Sequence, residues 1–155
     1  MTTTLTPGTL VVTINEQVTL NGQEANSVNT LTLTNNIAET YKRILTVPTS
    51  EIVAWTTHDT DVAGSQFDDD LVKYARITNK DGDNNIIVRI KNADNDEFAY
   101  KLGPAESFLL HAHESSMNAV AAATLDIGAG WHDITSVKLT APDGACDAEI
   151  FVACI

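Results

Sequence analysis

The chain has 155 residues, with 9 Lys or Arg against 21 Asp or Glu, a formal charge of -12 at pH 7. That length suits one domain spanning residues 1–155, able to bury an ordinary core without metal or disulfide staples. The carboxylate excess repels phosphate backbones and anionic lipid, so neither nucleic acid nor a membrane is an expected partner. No apolar run approaches the roughly 18 to 20 residues that cross a bilayer.

The start, Met1-Thr2-Thr3-Thr4, has neither positive charge nor an apolar block, and folding in the cytosol is expected. Leu10 to Leu20 is rich in Val, Ile and Thr and reads as a strand. It ends at Asn21-Gly22, a favoured hairpin turn because both residues tolerate positive φ. Gln23 to Ser27 is polar before alternation resumes at Val28 to Leu33, which suggests a loop wider than two residues. Arg43 to Val47 is the next strand, stopped by Pro48, and Glu51 to Thr57 follows around Ile52, Val53 and Trp55. Thr57 to Asp70 turns polar and acidic and reads as a long surface loop.

From Leu71 to Leu110 apolar side chains recur two residues apart, the spacing of extended strands. Leu71 to Thr78 is apolar on both faces, Val72, Tyr74, Arg76 and Thr78 on one and Leu71, Lys73, Ala75 and Ile77 on the other. In Ile86 to Lys91 the division is cleaner: Ile86, Val88 and Ile90 inward, Arg89 and Lys91 toward water. Phe98, Tyr100 and Leu102, then Phe108 and Leu110, repeat the inward pattern. His111 to Ala123 fits a strand and a short helix equally well, and Ile127 to Trp131, with two glycines, reads as a loop. Ile134 to Thr140 alternates again, and Pro142-Asp143-Gly144 turns the chain into the last strand, Ala145 to Ile155. The expected fold is all-β, a single β-sandwich of about eight or nine strands in two packed sheets with a jelly-roll-like order.

Cys146 and Cys154 share a face of that last strand with Ala148, Ile150 and Val152. In one unbroken strand they stand about 26 Å apart, far beyond the roughly 7 Å a disulfide spans, and buried reduced thiols are expected. His111 and His113, two apart on one strand face, are the residues best spaced for metal ligation, with His58 and His132 as completing ligands. Half-exposed structural histidines are the plainer reading, and no metal or cofactor is expected. The carboxylates gather as Asp59 and Asp61, Asp68 to Asp70, Asp81 and Asp83, and Asp94, Asp96 and Glu97, each on a predicted corner where Asp satisfies nearby backbone amides. A hard cation such as calcium is the competing reading, but aligning Gly82 with the glycine of a helix-loop-helix calcium loop puts Ile77 and Val88 at ligand positions, so that motif fails. Nucleophile-elbow, phosphate-loop, dinucleotide and zinc-protease signatures are missing, and the chain is not expected to be an enzyme.

Several stretches resemble small virion proteins of tailed bacteriophages: Tyr74 to Asp81, Ile87 to Ile90 and Leu102 to Leu110, with Val18 to Gly22, Asn29 to Thr32 and Tyr41 to Thr49. Together they cover a little over a quarter of the chain. Where those proteins tend to have a Pro-Gly turn, this chain has Gly103-Pro104-Ala105. The resemblance implies a non-enzymatic particle component, assembled in the host cytoplasm and localised to the virion. The leading expectation is a capsid decoration (cement) protein bound to the major capsid protein on the outside of the shell. A neck, tail or fibre-base component is the second reading. A receptor- or carbohydrate-binding module using Trp55 and Trp131 is the third. Tyr74, Arg76, Phe151 and Ile155 are the expected interface residues, for self-association as a trimer or higher ring as well as for docking on other virion proteins.

Overall fold

The computed structural model describes residues 6–58, 66–68, 71–110, 116–119 and 132–155. Its strands in chain order are β1 (Gly8–Glu16), β2 (Thr19–Leu20), β3 (Gln23–Glu24), β4 (Ser27–Ile37), β5 (Glu39–Val47), β6 (Ile52–His58), β7 (Gln66–Asp68), β8 (Val72–Asn79), β9 (Ile86–Asn92), β10 (Glu97–Leu102), β11 (Ser107–Leu110), β12 (Ser116–Met117), β13 (His132–Thr140) and β14 (Cys146–Cys154). No helix occurs among the described residues, so the protein is all-β. The fourteen strands exceed the expected eight or nine because several are two- or three-residue pairings, which carry too few side chains to leave a periodic trace in sequence.

Eight of these strands form the body, and their pairing is nested. β9 pairs with β10, β8 with β11, β6 with β13 and β5 with β14, all antiparallel. A long hairpin rolled over on itself produces this arrangement. The rolled halves close into one sheet ordered β11-β8-β14-β5 and another running β10-β9-β13-β6-β7, with β12 beside β13 and β7 parallel to β6. Inward side chains from both sheets make one core, Val47, Ala75, Ile77, Ala148, Ile150 and Val152 against Trp55, Ile86, Val88, Ile90, Val137 and Leu139. The alternation of β9 and the shared face of Cys146, Ala148, Ile150, Val152 and Cys154 are as expected, and both cysteines are free and buried.

Two departures from alternation have local causes. In β6, consecutive Ala54 and Trp55 are both buried, because a bulge opposite Val137 and Lys138 lets the strand gain a residue and re-aim its side chains. In β10, Phe98 and Tyr100 stay half exposed although they share the inward parity with buried Leu102. β10 is the edge of its sheet, and Tyr100 leans instead on Phe108, ring centroids 5.4 Å apart.

Strand ends are closed by buried asparagines. Asn79 and Asn92 terminate β8 and β9 on the inward parity and bind the backbone of the corners that follow. The Gly103-Pro104-Ala105 corner is a type II turn: Pro104 holds the first central position, Ala105 takes φ +60° at the second, and Glu106 N–H donates to Gly103 O at 3.2 Å. A Cβ in the left-handed region costs about 1–2 kcal/mol, partly offset by the extra freedom glycine has in the unfolded chain. Ala105→Gly should therefore raise the unfolding free energy by up to about 1 kcal/mol, checked by urea denaturation; an unchanged or lower midpoint would refute it.

Candidate functional site, the hairpin arm and the sheet face beneath it

Residues 8–37 form strand pairs separate from the two sheets of the sandwich. β1 pairs only with β4, and β2 with β3, in one continuous register: Leu10 faces Leu33, Glu16 faces Ser27, Thr19 faces Glu24 and Leu20 faces Gln23. The turn at the end is two residues long, Asn21 at φ +51° and Gly22 at φ +76°, the pair of positive values a type I′ hairpin demands. The wider loop suggested by polar Gln23 to Ser27 is corrected: the turn itself is two residues long, Gln23 and Glu24 already return as strand, and after Ala25, whose N–H donates to Val18 O at 2.9 Å, and Asn26 the strand resumes at Ser27. A single residue, Ala38, joins this arm to β5, and its N–H is fixed to Cys154 O at 2.9 Å.

One face of the arm is apolar. Leu10, Val12, Ile14, Val18 and Leu20 share parity on the outgoing strand, interrupted by Glu16, with Leu31 and Leu33 opposite. The base of this stripe is seated: Leu10, Val12, Leu33 and Ile37 pack on Tyr74, Phe151 and Ala153, the outer face of the β8–β14 pair. Its outer part is not, with Ile14 45%, Val18 52% and Leu20 68% exposed. Where the arm parts from the sheet, Val12, Ile14, Asn29, Leu31, Tyr74 and Leu109 line a groove of about 180 Å³. From Thr6 to Ile37 the chain carries only Glu16 and Glu24 and no basic residue, an almost neutral limb on a molecule of charge -12.

The expected interface residues cluster around this contact. Tyr74 is 5% exposed, its ring edge-on to Phe151 with centroids 6.0 Å apart, and the cover over both comes from the chain's own arm. Arg76 lies one step along the same face, donating to Glu149 and Thr78, while Lys42 approaches Glu149 at 3.6 Å. Ile155 is half-buried beyond β14, its N–H donating to Leu71 O at 3.0 Å. The structure thus brings Tyr74, Arg76 and Phe151 together on one face and leaves Ile155 at the strand end. Ile14, Val18 and Leu20 were missed. Their signal was present, an apolar parity running through to Asn21-Gly22, but polar Gln23 to Ser27 hid the immediate return of the chain, so the second strand was read only from Val28.

The residues weighed for chemistry are arranged otherwise. His111 and His113 lie outside the described residues, as do Trp131 and Asp59, Asp61, Asp69 and Asp70. His132 Nε2 stands 3.6 Å from Asp94 Oδ2, and among the described residues no three His, Cys, Asp or Glu side chains converge as a metal ion requires. Asp81 caps its own corner, Oδ1 accepting Asp83 N–H and Asn84 N–H at 2.8 Å each. Burial raises both thiols, Cys154 to about 11, so each is protonated at neutral pH. Trp55 is 4% exposed within the core.

Three carboxyls sit below their ordinary range. Backbone amides of Asn84 and Asp83 lower Asp81, and the Arg76 hydrogen bond lowers Glu149 against the opposing effect of burial. Burial pushes Glu51 up, but the hydrogen bonds and charges of Arg89 and Lys138 together outweigh it. A carboxyl lowered by folding contributes stability above its unfolded value, near 4, and loses it as pH falls through the folded one. Unfolding midpoints should hold from about pH 7 to 5 and drop below about pH 4, with Glu149→Gln and Asp81→Asn each flattening the acid limb. Urea titrations at stepped pH check this; an acid limb unchanged in both variants would overturn it.

No family model, curated protein or solved structure matches this chain.

Proposed function

We propose that this protein is a non-enzymatic structural component of a tailed-phage virion, a capsid decoration protein that binds the outside of the shell and works by burying surface. The observation that carries the reading is the arm: an almost uncharged hairpin whose apolar stripe is seated at its base and open at its outer end. A two-stranded ribbon is marginal in water by itself, so a stripe of this kind serves a contact beyond the fold. The strand-and-turn resemblance to small virion proteins supports the same reading, and the strong negative charge suits the outside of a particle better than its DNA-filled interior. The nested pairing of eight strands supports a jelly-roll order for the body, an architecture used by capsid domains. Trp55 lies in the core rather than on a surface that meets glycans, which favours a particle contact over sugar recognition.

The test is recovery with the particle. Mass spectrometry of purified virions from the phage that encodes this chain should find it, and imaging should place it in many copies on the outer shell. Deleting residues 17–26, the outer end of the arm, should leave a folded sandwich that no longer binds. A chain found only in the soluble lysate, or one copy number fitting a neck or tail ring, would sink the decoration reading.

A further inference from the structure

Three pairs in the chain put a glycine directly after a side-chain carbonyl, Asn21-Gly22, Asp81-Gly82 and Asp143-Gly144, so that the glycine nitrogen is placed to close a ring on that carbonyl. The fold blocks two of them. Asp81 Oδ1 is engaged by the N–H groups of Asp83 and Asn84 at 2.8 Å each, and these amides hold its carboxyl ionised, a poor target for a nucleophile. Asp143 Oδ2 accepts from Asn85 Nδ2 at 2.7 Å, and the N–H of Gly144 is itself committed to Ala141 O at 3.3 Å. Asn21 is different. Among the described residues neither its side chain nor the N–H of Gly22 has a hydrogen-bond partner, and residues 13–30 are exposed throughout. A Cβ at Gly22 would meet nothing within 4 Å, so no neighbour crowds the approach. Asn21 has to leave its φ of +51° for the nitrogen to reach Cγ, but the strands that hold it, β2 and β3, are two residues each, and so short a ribbon end opens at little cost.

We propose that Asn21-Gly22 is a deamidation site that limits the lifetime of the arm's tip. The Gly22 nitrogen attacks Asn21 Cγ; the new N–Cγ bond forms as the Cγ–Nδ2 bond breaks, and Nδ2 departs as ammonia with the proton that Gly22 gives up. Water then opens the cyclic imide at either carbonyl. One opening leaves aspartate, and the other leaves isoaspartate, in which the main chain runs through Cγ and is longer by a methylene. Both put a negative charge on a limb whose only charges are Glu16 and Glu24. Isoaspartate also destroys the turn, because a type I′ hairpin depends on paired positive φ values at two standard residues. The consequence rests on the contact reading given above and deepens it, since a charged, slack tip no longer matches an apolar partner. The chemistry is read on the isolated chain, so its failure is distinct from a failure of particle binding.

The folded chain is incubated at neutral and mildly alkaline pH, sampled over time and cleaved after Glu16 and Glu24, which isolates residues 17–24 with Asn21 as their sole asparagine. Mass spectrometry of that peptide is expected to show an amino group exchanged for a hydroxyl ahead of every other asparagine-containing peptide, at a rate that climbs with hydroxide, and isoaspartyl methyltransferase should label the product. Asn21→Gly, which keeps a Gly-Gly type I′ turn, should show no such change there. The aged chain should lose hydrogen-exchange protection at Ala25, whose N–H donates to Val18 O at 2.9 Å, with no loss at buried Val88 or Ile150. An Asn21 that stays intact in the folded chain would overturn the proposal, and conversion of the free peptide 17–24 under the same conditions would assign that protection to the turn. Earlier conversion at another asparagine would overturn it too, as would a converted chain whose Ala25 protection is unchanged.

Discussion

Trp55→Ala is expected to lower the unfolding free energy by about 3–5 kcal/mol, the range for deleting a large buried aromatic. Trp55 is 4% exposed on β6, opposite Val137 and in one core cluster with Ile77, Val88, Ile90 and Ile150. The bulge beside it turns consecutive Ala54 and Trp55 both into the core. Total stability of a domain this size is about 5–15 kcal/mol, so the variant should survive only at low temperature and low denaturant. Urea unfolding followed by far-UV circular dichroism measures it. A midpoint within error of the parent, with binding of a glycan lost instead, would show that the side chain meets a ligand rather than the core.

Asn79→Ala should cost about 2–4 kcal/mol although it removes only a small polar group. The side chain is wholly buried at the end of β8, donating to Asn84 O at 2.8 Å and Gly103 O at 3.0 Å while its Oδ1 accepts Asp81 N–H at 3.0 Å. One amide thereby ties two corners together, the Asp81 turn and the Gly103–Glu106 turn. Net hydrogen bonds are each worth about 1 kcal/mol, but a buried carbonyl left without a donor loses its full solvation. Asn79→Asp should be no milder, because it keeps the acceptor, removes both donors and buries a charge. The pair of variants separates polar satisfaction from packing: were Asn79 mere filler, Asn79→Asp would be damaging and Asn79→Ala nearly neutral.

The arm shows where reading along the chain stops. Its turn was legible at Asn21-Gly22 and its outgoing strand at Leu10 to Leu20, but the return was obscured because Gln23 to Ser27 carry no apolar residue except Ala25. Pairing in an exposed ribbon is decided by turn geometry and register, and polar side chains do not oppose it. For the corners, Asp81 as a cap was readable in its type and place, whereas the buried role of Asn79 was not. Its only trace is that it continues the inward parity of Ala75 and Ile77 into an acidic turn.

By itself the sequence determined an all-β chain, the two faces of β8, β9 and β14, the reduced state of Cys146 and Cys154, and the corner capped by Asp81. These are local properties, set by side chains alternating across a strand and by the backbone demands of Asn, Asp, Gly and Pro. The tertiary structure alone decided that β5 meets β14 and β6 meets β13, that a separate arm covers Tyr74 and Phe151, and that this arm leaves Val18 and Leu20 bare. Alternation reports that a side chain faces a surface to be buried; which surface meets it depends on contacts between residues far apart in the chain, and only packing selects among those.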